Sequence, residues 1–218
     1  MKILMIGNSG TYCNDMPVIL EDLIRENGTE IRVDSVTKGG RQLVQNLDPA
    51  DEKHREIAEL TAENRYDVLI LQEHTVYSFL EEERFAFAVA GLMKTVSAPR
   101  TLLYSTAPRK EGHAELAEHG WTSADMAFAV YGAYKRVATQ CGAELSPSTM
   151  CFYWLSQIHA ELNLYAADNA HPSYLGSCVA ALTHYQKILG KLPTLHAALR
   201  IGEDDYRKIA EAVEVLIG

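Results

Sequence analysis

A chain of 218 residues, 47% apolar and 22% charged, has enough apolar side chain to bury one full core and is neither disordered, collagen-like nor a disulfide scaffold. Its formal charge of −9 gives a surface that repels polyphosphate, which argues against nucleic acid or an anionic membrane as a main partner.

Residues 2–7 form a short apolar run closed by Gly7, too short for a secretory signal, and read as a first strand. Residues 16–27 place Met16, Ile19, Leu20, Leu23 and Ile24 on one helical stripe, with Asn14 or Asp15 as cap, Pro17 in the first turn and Gly28 as the stop. A second strand over residues 30–37 ends at Gly39-Gly40, and a helix follows over 51–64. Residues 67–72 are apolar on both faces, as a central parallel strand requires. A helix over 81–97 leads to a fourth strand at 101–105. The connection from 106 to 124, carrying His113, His119 and Trp121, is long enough to be a functional loop or to contain a short helix. A helix from 124 to 141, with Ser123 as its cap, precedes a short strand at 143–145. The pattern is then helical over 149–164, irregular over 168–173 and helical over 174–189. An amphipathic helix closes the chain at 203–217, with an apolar face suited either to the sheet or to a second subunit in a homo-oligomer.

Alternating strands and helices without a repeat or linker predict one α/β domain over residues 1–218, with a mainly parallel sheet of about five strands between two helical layers. No stretch is long and apolar enough to span a bilayer, which makes a cytoplasmic protein the expectation. Cys13, Cys141, Cys151 and Cys178 form no C-x-x-C pair and read as reduced thiols.

Two segments carry chemistry. Gly7-Asn8-Ser9-Gly10-Thr11 follows the first strand, so Ser9 stands at the carboxyl end of the sheet, where ligands of open α/β folds bind. This segment lacks the Lys-Ser/Thr of a phosphate-binding loop and any dinucleotide-type glycine pattern. Asp168-Asn169-Ala170-His171-Pro172 delivers a carboxylate and an imidazole from one loop, Asp168 placed to hold the ring and His171 free to act as a base.

Together these segments resemble the SGNH (GDSL-type) hydrolases, whose nucleophilic serine lies in an early G-x-S turn and whose Asp and His lie in a late D-x-x-H-P. The resemblance implies a flavodoxin-like three-layer sandwich and hydrolysis of a small-molecule ester through an acyl-enzyme, with Ser9 as nucleophile, His171 as base, Asp168 as its orienting partner and no cofactor or metal. It implies an oxyanion hole of the Ser9 N–H, a glycine N–H after the second strand (Gly40, or Gly39) and a third donor. At that third position the chain departs from the family: Leu71-Gln72-Glu73-His74 stands where Gly-x-Asn-Asp is expected, leaving Gln72 or His74 as donor. A Gln there is similar to some sugar-acetyl esterases, so an O-acetyl group on a carbohydrate is the expected substrate, with Asn8 and Trp121 as candidate contacts. The missing Asn also motivates the alternative of a ligand-binding protein that keeps the fold without turnover. His113 and His119 lack the spacing of a zinc set.

Overall fold

The computed structural model describes residues 1–217. β1 (Lys2–Gly7) buries Ile3 and Met5 in one apolar cluster and Leu4 and Ile6 in another, the alternation a two-residue period dictates. The chain passes through a four-residue helix, α1 (Ser9–Tyr12), and a 3-10 turn at Cys13–Asp15 into α2 (Met16–Glu26). β2 (Arg32–Thr37), a 3-10 turn at Leu43–Leu47, α3 (Glu52–Glu63) and β3 (Val68–Leu71) follow. Next come α4 (Tyr77–Leu80), α5 (Glu82–Val96), β4 (Arg100–Tyr104), α6 (Ala114–His119), α7 (Ser123–Cys141) and β5 (Glu144–Ser146). The chain ends with α8 (Ser148–Ile158), α9 (Tyr174–Leu189), a 3-10 turn at Ala197–Leu199 and α10 (Glu203–Ile217).

The five strands pair in parallel in the order β2-β1-β3-β4-β5. An all-parallel sheet needs helices on both faces, and it has them. α2, α8, α9 and α10 bury their apolar residues with Ile3, Met5, Ile70 and Leu102, while α3, α5 and α7 do so with Leu4, Ile6, Leu69 and Leu103. The fold is therefore the three-layer α/β/α sandwich that the alternation predicts. The chain runs from β1 to β2 on one side and then crosses to β3 on the other, so the order reverses at β1 and opens a crevice beyond the carboxyl ends of β1 and β3.

The departures from the sequence reading are local. Neither Asn14 nor Asp15 caps α2 with its side chain; both adopt left-handed backbone at φ 55°, and Asn14 bonds elsewhere. α7 is capped by Thr122, one residue before Ser123, in a reciprocal capping box with Asp125. α8 stops at Ile158, and residues 159–173 form an irregular segment pinned by a bridge between Tyr165 and Pro172. α1, α4 and α6 span six residues or fewer, too short for an apolar stripe to announce them. Ile209, Ala212 and Val213 of α10 are fully buried against α8 and α9, so that stripe is covered within the chain. No helix among the described residues is long and apolar enough to cross a membrane.

Candidate active site

Ser9 opens α1 at the crevice, held by a buried polar platform. The Asn8 side chain caps α1 by accepting the Gly10 N–H at 3.0 Å, and its Nδ2 donates to the Arg41 carbonyl at 2.9 Å, fastening the Ser9 turn to the Gly39-Gly40 loop. Gln72, at the end of β3, lies under the turn: its Oε1 accepts the Asn8 N–H and the Thr11 hydroxyl, each at 2.8 Å. Packing here is tight enough to require Gly7, because a Cβ there would sit 2.6 Å from Gln72 Oε1.

His171 and Asp168 arrive from the loop before α9. The Asp168 carboxylate accepts the backbone N–H groups of Ala170 (3.0 Å) and His171 (2.9 Å) through Oδ1, folding the loop on itself, and Asn169 takes the left-handed φ of 56° that this turn needs. Its other oxygen lies 2.5 Å from His171 Nδ1, and His171 Nε2 lies 2.8 Å from Ser9 Oγ. An ionised carboxylate only accepts, so Nδ1 carries the ring proton and Nε2 is left to accept the Ser9 hydroxyl. These bonds, from the His171 ring first and then from the two backbone N–H groups, hold the Asp168 carboxyl well below the usual carboxylate range. Across the crevice, Asn14 Nδ2 donates to the Pro172 carbonyl (3.0 Å) and to Ser177 Oγ (2.9 Å), stapling the segment after Ser9 to the His171 loop.

Ser9, His171, Gly40, His74 and Arg109 line one cleft of 190 Å³. Among the described residues, neither the Ser9 N–H nor the Gly40 N–H has a hydrogen-bond partner, and Gly40 takes a left-handed φ of 67°.

No family model matches the chain, and no curated protein matches it. Among solved structures, a protein assigned as an SGNH hydrolase from Slackia heliotrinireducens superposes with a TM-score of 0.75 at 29% identity, covering 86% of this chain and 98% of its own. The chain belongs to the SGNH (GDSL-type) hydrolase superfamily. A DUF4886 family protein from Bacteroides uniformis shares the fold over 100% of this chain and 94% of its own, with a TM-score of 0.82 at 15% identity. An acetyl-xylooligosaccharide esterase from Geobacillus does so over 87% and 94%, with a TM-score of 0.58 at 16% identity.

Within this SGNH hydrolase, several expected contacts fall elsewhere. Gln72 is buried beneath the Ser9 turn and its Nε2 donates to the Glu73 carbonyl at 2.6 Å, so its amide is committed inside the protein and does not line the cleft. The side chain that does reach the cleft from this strand end is His74. Its Nδ1 is buried without a partner, and burial, followed by the nearby charge of Arg109, lowers its pKa. Asn8 lines the cleft, yet its side chain is used by the Gly10 and Arg41 bonds. Trp121 stacks on His119 with ring centroids 4.2 Å apart and packs against the α5–α7 core, away from the cleft. The aromatics that form the cleft are Tyr104 and Phe152. Phe152 lies inside a helical pattern that reads as core; no sequence signal separates it from its neighbours.

Cys13 stands near Asp168, and burial with that negative charge raises its thiol pKa, so it is held as a neutral thiol. All four cysteines are free. No group of three or more His, Cys, Asp or Glu among the described residues is arranged to hold a metal ion.

Proposed function

We propose that this hydrolase is a serine esterase acting through an acyl-enzyme. The observation that carries this reading is the continuous hydrogen-bonded series from Ser9 Oγ to His171 Nε2 and from His171 Nδ1 to Asp168. A serine hydroxyl is a weak nucleophile at neutral pH, and here a base stands within 2.8 Å of it. Ser9 attacks the ester carbonyl as His171 takes its proton, forming a tetrahedral adduct with a negatively charged oxygen. The unpartnered N–H groups of Ser9 and Gly40 receive that oxygen, and His74 supplies the third donor where the family carries Asn. Return of the proton to the leaving oxygen expels the alcohol. Water, activated by His171 in the same way, then releases the acid and restores Ser9.

The preferred substrate is a short acyl ester, an O-acetyl group on a carbohydrate. A cleft of 190 Å³ suits a small acyl group better than a long chain, and one protein of the same fold is an acetyl-xylooligosaccharide esterase.

The test is hydrolysis of 4-nitrophenyl acetate by wild type and Ser9→Ala, with an organophosphonate label located by mass spectrometry. Turnover lost in Ser9→Ala with the label on Ser9 is the expected result. A folded protein that neither turns over nor takes the label would overturn the reading in favour of a ligand-binding protein.

A further inference from the structure

The cleft is smaller than the roughly 300–1,000 Å³ of sites that enclose a drug-sized ligand, and a second cavity of 350 Å³ lies beside it. The two share a partition. Arg109 lines the cleft and Lys110 the cavity; Phe152 lines the cleft and Tyr153 the cavity. The ring of Phe152 stands edge-on to that of Tyr165, on the cavity side, at 5.4 Å. The Lys110 N–H donates to the Asn169 carbonyl at 2.9 Å, inside the loop that carries Asp168 and His171.

Arg109 stands at this seam. Its positive charge is felt by His74 in the cleft and by Tyr165 in the cavity wall. The cleft lining contains no other Arg, Lys, Asp or Glu among the described residues. The Arg109 side chain is only 14% exposed, and its Nε donates to Glu115 Oε2 at 2.6 Å. Neither Nη has a protein hydrogen-bond partner among the described residues. A guanidinium anchored at Nε presents its other edge as a planar fork, whose two parallel N–H groups match the two oxygens of a carboxylate. Because Glu115 engages Nε alone, both Nη groups are free to pair with an anion that enters the cleft Arg109 lines. Glu111, which also lines the cavity, is turned to the Ser123 N–H at 2.9 Å.

We infer that Arg109 binds a carboxylate of the substrate, and that the ester cleaved at Ser9 is carried by an acidic sugar whose remainder occupies the second cavity. Gln157, Ser156 and Tyr153 give that cavity the hydroxyl, amide and aromatic surface a polyhydroxylated ring requires. This rests on the esterase reading and narrows its substrate class.

The test is a matched pair of acetate esters at the same hydroxyl, 3-O-acetylglucose and 3-O-acetylglucuronate, with 4-nitrophenyl acetate as reference. Wild type is expected to favour the glucuronate by tenfold or more in kcat/KM, through KM, and added salt should shrink that preference. Arg109→Gln should abolish it and Arg109→Lys keep part of it. Glu115→Gln gives the opposite sign: removing the counter-charge should strengthen the preference, whereas a pair serving only to hold the loop would make both variants equally harmful. Turnover of 4-nitrophenyl acetate without a glucuronate preference, or a preference that survives Arg109→Gln, would overturn the inference and leave the esterase standing. Failure to cleave any of the three esters would overturn the esterase reading itself.

Discussion

Both carboxyl oxygens of Glu73 accept the amide N–H of Leu43, at 3.2 and 3.1 Å, and Oε1 also accepts the His74 N–H at 2.6 Å. With the Asn8 bond to Arg41, this fastens the chain just after the glycine loop at two points. Burial pushes the Glu73 carboxyl up to about 7 in spite of those bonds. The folded protein therefore holds this proton more tightly than the unfolded chain between about pH 4.3 and 7. Its contribution to stability is full at the acidic end of that window and is lost as pH rises to about 7, a change of about 3 kcal/mol. The difference between the urea midpoints of wild type and Glu73→Gln, followed from pH 4.5 to 8, should trace this loss; a difference independent of pH would sink the assignment.

His184 works in the other direction. It is fully buried, bonded through Nδ1 to Ser146 Oγ at 2.7 Å, with Nε2 unpartnered and its ring edge-on to Tyr104. Burial lowers its pKa to about 3. The neutral ring stabilises the fold above the unfolded value near 6.5, and that stability is lost as pH falls toward 3. By pH 5 the loss is about 2 kcal/mol. His184→Gln should move acid unfolding to lower pH, as read by far-ultraviolet circular dichroism.

Asp168→Asn should cut kcat for 4-nitrophenyl acetate by on the order of 10³-fold, because an amide facing Nδ1 favours the wrong ring tautomer. The side chain is half exposed, so the melting temperature should change little. Since its own carboxyl stays ionised far into acid, the acidic limb of the wild-type rate profile belongs to another group. A variant within tenfold of wild type would remove Asp168 from the mechanism.

Gln72→Ala and His74→Ala should part company. Removing Gln72 leaves the buried Asn8 N–H and Thr11 hydroxyl without their acceptor, costing about 1–3 kcal/mol of stability for each lost partner. Removing His74 should lower kcat by about 10²-fold with a much smaller change in stability. Thermal melts beside kcat on the same preparations separate the two, and a His74→Ala variant with wild-type kcat would exclude it as a donor.

The sequence shows its architecture plainly where one physical signal dominates. β1 and the helices at Tyr174–Leu189 and Glu203–Ile217 match their predicted bounds; for the first two the reason is Gly7 at the end of the strand, and Ser173 and Gly190 as the caps of the helix. Ser9, His171 and Asp168 stand out because their residue types have few reasons to recur in that order and placement. Gln72 misleads for a physical reason: an amide at a strand end looks the same from sequence whether it faces the crevice or supports the turn behind it. Arg109 and Phe152 are invisible because a long connection and an apolar helix face give no hint of which side chains turn toward a cleft.

The staple from Asn14 to Pro172 and Ser177 also bears on how the site assembles. The bond between Ser9 and His171 joins positions 162 residues apart, and closing a loop of that length costs about 4–5 kcal/mol in chain entropy. One hydrogen bond returns only about 1 kcal/mol, so it cannot draw the two ends together. Docking of α2 onto α9 does that, and Asn14 then sets the final register between the two loops. The pairing of Ser9 with His171 thus depends on that helix contact and is a sensitive gauge of it: damage at the α2–α9 seam should silence the enzyme at temperatures where the rest of the sheet is still intact.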